Sequence, residues 1–242
     1  MNIIKNIPNT ITSMNLLCGV LGVIFTFQGR FDLSFCLMLA AAICDFSDGF
    51  AARMLNAYSE VGKELDSLAD MVSFGLLPSL MLHRYMVVVG HTGFLTYIPL
   101  MICIFSALRL AKFNVDDRQT ENFLGLATPA CAMWCGSVVY FCSLGYMTPI
   151  LPVHNVWFLP VVSVIMSLLL VSEIPMFSMK FKKGSKNNHI RIGFIAFVIA
   201  VAAITVIIKI NWSAIVMLSM TAYILFNSLV GLFSIRIRPK KD

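Results

Sequence analysis

Residues 32–55 read DLSFCLMLAAAICDFSDGFAARML, and this stretch decides which kind of fold the chain can adopt. It is as long as the roughly 20 mostly apolar residues that a helix needs to cross a lipid bilayer. Two carboxylates, those of Asp45 and Asp48, lie near its end. A carboxylate at membrane depth costs at least about 2.5–3.5 kcal/mol on insertion scales, so we expect these two acids to have a function.

The composition of the whole chain is that of a membrane protein. The chain has 242 residues, of which 59% are hydrophobic and 12% are charged, and its mean hydropathy is +0.85. Soluble domains carry about 25% charged residues, so this composition excludes an ordinary soluble protein and a disordered one. No polar stretch is long enough to form a second domain, and we expect one transmembrane domain over residues 1–242.

Seven further apolar segments have the length of membrane-spanning helices. Together the segments predict an all-α, polytopic membrane bundle of about eight transmembrane helices. The predicted segments are residues 11–28, 32–55, 64–86, 93–113, 126–147, 152–172, 191–208 and 211–234. The third and the fourth are the least distinct, because only a short stretch around residue 90 separates them.

The distribution of basic residues predicts the orientation of the bundle. When the N-terminus is placed in the cytoplasm, 15 of the 18 basic residues fall on the cytoplasmic side. This asymmetry predicts that both termini are cytoplasmic and that the chain lies in the inner cell membrane. The basic residues within 180–186 and 236–241 either set this topology or also attract anionic membrane lipid, at about 1 kcal/mol per residue. They form no nucleic-acid-binding motif, so we expect no nucleic acid partner.

The acidic residues are concentrated in one short part of the chain. Asp45 and Asp48 are three positions apart, and Asp66 and Asp70 are four apart, so each pair shares one face of its helix. A short loop joins the two helices, so both pairs lie at the same depth and can face each other. Oxygen ligands without histidine or cysteine favour Mg²⁺ or Mn²⁺. Two such ions about 3.5–4 Å apart would suit phosphoryl transfer.

Small residues and one arginine surround the acidic pairs. Gly49, Ala52 and Gly62 would let a phosphate or a sugar approach the backbone closely. Arg53 supplies a planar, permanently charged group that can bind phosphate. The alternative is structural, with interfacial acids that form salt bridges with Arg53 and Lys63. That alternative does not explain the small residues or the two matched spacings.

The acidic stretch resembles the signature of the CDP-alcohol phosphatidyltransferase family. Residues 45–53 read DFSDGFAAR, eight residues follow, and residues 62–70 read GKELDSLAD. The family signature is Asp-x-x-Asp-Gly-x-x-Ala-Arg, a spacer and Gly-x-x-x-Asp-x-x-x-Asp, and every fixed position is filled. The resemblance implies transfer of a phosphatidyl group from CDP-diacylglycerol to an alcohol, with CMP as the leaving group.

The resemblance also implies roles for individual residues. Asp45, Asp48 and Asp66 would hold two divalent cations, Mg²⁺ or Mn²⁺. Asp70 would be both a metal ligand and the general base. The residues that would line the CDP site are Gly49, Ala52, Arg53 and Gly62. A homodimer is implied in the same way.

A short polar stretch precedes the first apolar segment. Residues 8–12, PNTIT, resemble a Pro-Asn-x-x-Thr stretch found before the first helix in many members of the family. By that resemblance, Asn9 and Thr12 contact the nucleotide or a phosphate. The alternative is that a helix starts here and that Asn9 or Thr12 caps its N-terminus.

Further stretches resemble the members of the family that use L-serine as the acceptor and form phosphatidylserine. They are the opening residues 7–19, residues 106–114, SALRLAKFN, and residues 123–129, FLGLATP. The eight-helix layout, longer than the six-helix core of the family, indicates the same acceptor. Lys112 stands where arginine is usual, and Ala127 where the first proline is usual. These two departures weaken the assignment of the acceptor alcohol and leave the assignment of the reaction unchanged.

The carboxylate of L-serine needs a cation in its pocket. Arg109 and Lys112 are three positions apart at the inner end of the fourth predicted helix, with Asn114 beside them, and could bind that carboxylate. Alternatively, both are basic only because they face the cytoplasm. The same pair could bind the phosphate of glycerol 3-phosphate, which is the alternative acceptor. A cation transporter is a more distant alternative, which does not account for the glycines and Arg53 at fixed positions.

Overall fold

The computed structural model describes residues 3–115, 123–145, 155–176 and 188–237. Within these residues the chain is helical almost throughout, which confirms the all-α prediction. The helices are α1 (Ile3–Phe27), α2 (Phe31–Met54), α3 (Glu60–Asp70), α4 (Leu77–Val88), α5 (Met101–Val115), α6 (Thr128–Ser143), α7 (Phe158–Val171), α8 (Asn188–Ile207) and α9 (Ser213–Ile237). A π-helical turn, Met71–Leu76, joins α3 to α4, and a 3₁₀ helix, Phe94–Leu100, leads into α5.

Several helical stretches are long and apolar enough to cross a membrane. In the described residues these are Asn6–Phe27, Phe31–Met54, Glu60–Val88, Phe94–Val115 and Ser213–Val230. The apolar helices Phe158–Val171 and Ile192–Ile207 are shorter. Each of the eight predicted segments contains a helix, so the polytopic membrane bundle is confirmed. The basic segments 180–186 and 236–241 lie outside the residues whose side chains the structure describes.

Helix α1 begins at Ile3, well before the predicted residue 11, and runs through Pro8. Proline has no N–H to donate and its ring crowds the carbonyl four residues back, but near the start of a helix only the first turns are affected. Asn9 and Thr12 therefore lie inside α1, and the alternative that one of them caps the helix is wrong. The Thr12 hydroxyl reaches back to the carbonyl oxygen of Pro8 at 3.0 Å.

Helix α1 packs closely against the continuous helical stretch Glu60–Val88. A Cβ atom at Gly22 would lie 2.6 Å from a methyl carbon of Leu77, and a Cβ atom at Gly19 would overlap the hydroxyl of Ser73. The buried core beside this contact takes side chains from α2, the π-helical turn, α4 and α6, among them Phe35, Met38, Phe74, Leu77, Met81 and Cys135. This packing brings α1 alongside α3, which carries three of the predicted site residues, Gly62, Asp66 and Asp70.

The π-helical turn directly follows Asp70. Ser73, Phe74 and Gly75 in this turn are buried, and a Cβ atom at Gly75 would lie 3.1 Å from the Cβ of Ser106 on α5. Turns of this kind are rare and are frequently found at functional sites. The sequence does not predict it, because a wide turn leaves no signature in a continuous apolar run.

Two short strands, β1 (Phe123–Leu124) and β2 (Pro175–Met176), pair in the antiparallel direction. The residue after β1, Gly125, has a φ of +75°, and a Cβ atom there would lie 2.7 Å from the carbonyl oxygen of Ser172. The sequence does not predict this pair, which joins segments far apart in the chain. The pair holds the chain before α6 against the chain that follows α7.

Candidate active site

The chain turns between α2 and α3 through residues 55–59, and this turn places the acidic residues. Asn56 has a positive φ of 47° in the turn. The Ser59 hydroxyl oxygen then caps α3 by accepting a hydrogen bond from the backbone N–H of Gly62 at 3.0 Å. Helix α1 packs against both α2 and α3 and so lies beside the acidic ends of the two helices.

Three carboxylates converge at this point. Asp45, Asp48 and Asp66 each offer an oxygen, and these oxygens lie within 4.8 Å of one another. The prediction that acids from two successive helices face each other is confirmed for these three residues. Asp70 lies outside this group, one turn further along α3.

The charged neighbours of the cluster do not neutralise it. In the part of the chain that the structure describes, no lysine or arginine forms a salt bridge with these carboxylates. Arg53 Nε donates to the backbone carbonyl of Gly49 at 2.9 Å, and Lys63 Nζ donates to that of Asn114 at 3.0 Å. The alternative of interfacial acids in salt bridges with Arg53 and Lys63 is therefore wrong.

The donor set fits a divalent cation. Asp66 Oδ1 is buried and has no hydrogen-bond partner among the described residues. An unpaired buried carboxylate oxygen is costly, whereas a cation between several carboxylates removes that cost. Oxygen ligands suit hard ions such as Mg²⁺ or Mn²⁺. The three aspartates together can hold a divalent metal ion.

Helix α1 supplies one hydrogen-bond donor to each acidic pair. The Thr12 hydroxyl lies 2.6 Å from Asp48 Oδ2, and Asn15 Nδ2 donates to Asp70 Oδ1 at 3.1 Å. Thr12 and Asn15 are both buried and share one face of the helix. Asn15 was not predicted as a site residue. An amide three positions after Thr12 in an apolar helix could have indicated it, because polar side chains at membrane depth are often functional.

A cleft of about 550 Å³ lies beside the carboxylates. It brings together Asp48, Asp66 and most of the predicted nucleotide-site residues, namely Asn9, Thr12, Gly49, Ala52 and Gly62. Its lining also includes residues that were not predicted for the nucleotide site: Tyr58, Ser59, Glu60 and Lys63. Arg53 does not line the cleft, because its exposed side chain folds back onto Gly49.

The two signature glycines differ in their surroundings. A Cβ atom at Gly62 would lie 2.8 Å from Asn9 Oδ1 and 2.9 Å from the Ser59 hydroxyl oxygen, so a side chain there would displace these two groups. A Cβ atom at Gly49 would meet only Arg53 Nη2, at 3.9 Å. Gly62 therefore leaves room for the Asn9 side chain of α1 and for the Ser59 cap of α3, whereas Gly49 leaves open space in the cleft.

Arg109 and Lys112 lie away from this cleft. Arg109 is 8% exposed, and its Nε donates to the backbone carbonyl of Leu126 just before α6. Lys112 forms a salt bridge of 3.5 Å with Glu173. The two basic residues line a second, small cavity of about 10 Å³, which shares no lining residue with the cleft.

Asn114 contacts the acidic helix instead. Its Nδ2 donates to the hydroxyl oxygen of Ser67 at 2.9 Å, and its backbone carbonyl accepts from Lys63. The structure therefore separates the three residues predicted for the acceptor. Asn114 is joined to α3 beside Asp66, whereas Arg109 and Lys112 face the chain around α6 and α7.

Comparison with known proteins identifies similar chains. The sequence model of the family described as CDP-alcohol phosphatidyltransferase matches residues 5–168. A protein of Mycobacterium leprae (strain TN) named CDP-diacylglycerol–serine O-phosphatidyltransferase is 32% identical over 214 residues, which are 83% of this chain and 67% of that protein. A protein of Bacillus subtilis (strain 168) with the same name is 35% identical over 128 residues, 52% of this chain and 71% of that protein. One of Methanocaldococcus jannaschii with this name is 27% identical over 201 residues, 83% of this chain and 86% of that protein.

Proposed function

Because the chain belongs to the CDP-alcohol phosphatidyltransferase family, we propose that it transfers the phosphatidyl group of CDP-diacylglycerol to the hydroxyl of L-serine and releases CMP. The observation that carries the proposal is the convergence of Asp45, Asp48 and Asp66 at a cleft lined by the two signature glycines. The choice of L-serine is supported by the names of the similar proteins from three organisms.

The cleft would hold the CDP part of the donor substrate. Gly49 leaves room for a phosphate near the backbone, and Lys63 is a cation on the lining that can pair with a phosphate oxygen. Asp45, Asp48 and Asp66 would hold two divalent cations, Mg²⁺ or Mn²⁺, with Asp70 as a further ligand. When bound, these cations supply positive charge to the diphosphate and to the departing CMP.

Asp70 would act as the general base. Its carboxylate takes the proton from the hydroxyl of L-serine, and the serine oxygen forms a bond to the phosphorus that carries diacylglycerol. The bond from that phosphorus to the oxygen of the CMP phosphate breaks, and CMP leaves with the electron pair. A hydroxyl is a poor nucleophile at neutral pH, so the reaction needs both a base and a fixed alignment.

Arg109, Lys112 and Asn114 are proposed for the acceptor side of the site. Asn114 is joined to Ser67, the neighbour of Asp66, so it lies closest to the acidic cluster. Arg109 and Lys112 precede Asn114 on α5, where Arg109 donates to the carbonyl of Leu126 and Lys112 pairs with Glu173. The proposal places the carboxylate of L-serine on this side of the site.

The location of the enzyme follows from the charge distribution of its sequence. We place it in the inner cell membrane as a single transmembrane domain, residues 1–242, with both termini and the active site at the cytoplasmic face. The proposal includes a homodimer surrounded by membrane lipid. The support for this proposal is the excess of basic residues on the cytoplasmic side and the family resemblance.

The experiment that tests the function is an acceptor comparison on purified protein. CDP-diacylglycerol and Mn²⁺ or Mg²⁺ are supplied with L-serine, glycerol 3-phosphate or inositol phosphate, and CMP release is followed. We expect CMP release when L-serine is the acceptor and none with the other two acceptors. We expect no CMP release from Asp45→Asn with any of them. Release with glycerol 3-phosphate instead would keep the reaction and overturn the acceptor. No release with any acceptor from folded protein would overturn the proposed reaction.

A further inference from the structure

We infer that Asn15 is a positioning residue that fixes the orientation of the Asp70 carboxylate. The inference rests on the proposed function, in which Asp70 takes the proton of the acceptor hydroxyl. It concerns an amide that lies outside the acidic signature and on a different helix, α1.

Both the backbone and the side chain of Asn15 are held in place. The side chain has 0% exposed surface, and its Nδ2 donates to Asp70 Oδ1 at 3.1 Å. The Ser73 hydroxyl donates to the backbone carbonyl of Asn15 at 3.0 Å. Ser73 can come this close because Gly19, one turn further along α1, has no side chain. Asn15 therefore joins α1 to both sides of the point where α3 passes into the π-helical turn.

The side-chain oxygen of Asn15 is not stabilised by this arrangement. Asn15 Oδ1 is buried and has no hydrogen-bond partner among the described residues. A buried, unsatisfied acceptor destabilises a fold, and an apolar side chain of similar size would avoid it. An amide at this position is therefore explained by the contact of its Nδ2 with Asp70 and not by packing.

The hydrogen bond makes the two oxygens of Asp70 different. The amide engages Oδ1 and so fixes the direction of Oδ2, the oxygen that accepts the proton in the proposed reaction. A general base must come within about 2.6–3.2 Å of the atom from which it takes the proton. A misplacement of about 1 Å can cost about 10²-fold in rate. Loss of the amide donor is therefore expected to slow the chemical step and to leave the binding of CDP-diacylglycerol nearly unchanged.

The test begins with Asn15→Leu in the full-length enzyme, assayed by CMP release at saturating Mn²⁺ and acceptor. We expect kcat to fall about 10- to 100-fold, with the KM for CDP-diacylglycerol within about threefold of the wild-type value. Ser73→Ala removes the bond to the Asn15 backbone and is expected to lower kcat about 3- to 10-fold. Ser79→Ala is the matched control, because Ser79 is as buried as Ser73 on the same helical stretch and its hydroxyl donates to the carbonyl of Leu76 at 2.7 Å. This variant is expected to leave kcat unchanged.

A second measurement separates positioning from a general structural role. Asn15→Leu is repeated in an Asp70→Asn background, with the residual rate followed over hours at high enzyme concentration. If Asn15 acts through Asp70, its loss lowers the residual rate less than about twofold. A merely structural role would lower the rate by the same factor in both backgrounds, and that result would overturn the inference.

The remaining outcomes are also decisive. If Asn15→Leu does not fold, Ser73→Ala decides, and a kcat equal to that of Ser79→Ala would overturn the inference. If the wild-type enzyme uses an acceptor other than L-serine, the proposed acceptor is wrong, and the variants are compared with the acceptor that works. If the wild-type enzyme releases no CMP with any acceptor, the proposed function and this inference are both overturned.

Discussion

The substitution Thr12→Val removes one hydroxyl group beside the metal cluster and leaves the shape of the side chain nearly unchanged. Thr12 is 3% exposed, and its hydroxyl lies 2.6 Å from Asp48 Oδ2. Valine places a methyl group where that oxygen was, so Asp48 loses a hydrogen-bond donor and gains no other partner. The carboxylate is then free to turn away from Asp45 and Asp66, with which it would hold the cation.

The expected size of the effect follows from the strength of such a bond. A hydrogen bond to a charged group contributes about 1.5–3 kcal/mol. Since 1.4 kcal/mol is a factor of ten, this range corresponds to roughly 10- to 150-fold in an equilibrium constant. Loss of a hydrogen bond to a metal ligand typically costs about 10- to 100-fold in metal affinity or activity. We therefore expect Thr12→Val to raise the Mn²⁺ concentration for half-maximal activity by about 10- to 100-fold.

The assay measures CMP release at increasing Mn²⁺ concentration for Thr12→Val, Thr12→Ser and Thr26→Val, each compared with the wild-type enzyme. Thr12→Ser keeps the hydroxyl and is expected to restore most of the metal affinity. Thr26→Val is the matched control, because Thr26 is a fully buried threonine on the same helix whose hydroxyl contacts Ser34 and the carbonyl of Gly22. It is expected to lower thermal stability and to leave the Mn²⁺ midpoint unchanged. A midpoint for Thr12→Val equal to that of Thr26→Val would refute the role of Thr12.

Further perturbations test other parts of the site. Asp70→Asn is expected to lower kcat at least about 10²-fold in a protein that still folds, because the base is lost, as CMP release and circular dichroism would report. Chelation by EDTA is expected to abolish CMP release, and Mn²⁺ or Mg²⁺ is expected to restore it; release that continues in EDTA would contradict the metal site. Gly62→Ala is expected to destabilise the protein by about 0.5–2 kcal/mol, because its Cβ would come 2.9 Å from the Ser59 hydroxyl oxygen that caps α3. Gly49→Ala has open space and would show no loss in a thermal unfolding assay. Lys112→Gln is expected to raise the KM for L-serine and not that for CDP-diacylglycerol, and equal changes in both would argue against an acceptor role.

The helices and the converging acids could be predicted because each depends on residues that are close together in the chain. Apolar runs of membrane length predict helices. Spacings of three and four positions place Asp45 with Asp48 and Asp66 with Asp70. Gly49 adjoins these acids in sequence, so its place on the cleft follows for the same reason.

Contacts between distant segments could not be predicted in this way. The bonds from Thr12 to Asp48 and from Asn15 to Asp70 join residues 36 and 55 positions apart, and they depend on how closely α1 packs against its neighbours. The charge of Arg109 indicates an anion site, but its Nε donates to the carbonyl of Leu126. No local pattern shows that the chain before α6 passes beside this arginine, because that path depends on tertiary packing.

The π-helical turn after Asp70 divides one membrane-length helix into two halves, whose side chains have different surroundings. A regular helix turns about 100° per residue, so one additional residue in a wide turn shifts the phase of everything that follows. Before the turn, Asp66 faces the cleft, and after it, Leu77 and Met81 are fully buried in the apolar core. Deletion of one residue from Met71–Leu76 would let this stretch form a regular α-helix, in which the buried face of α4 keeps nearly its present direction but the wide turn beside Asp70 is lost. The turn therefore holds one residue more than a regular helix would, between the half of the helix that carries the acids and the half that anchors it in the bundle.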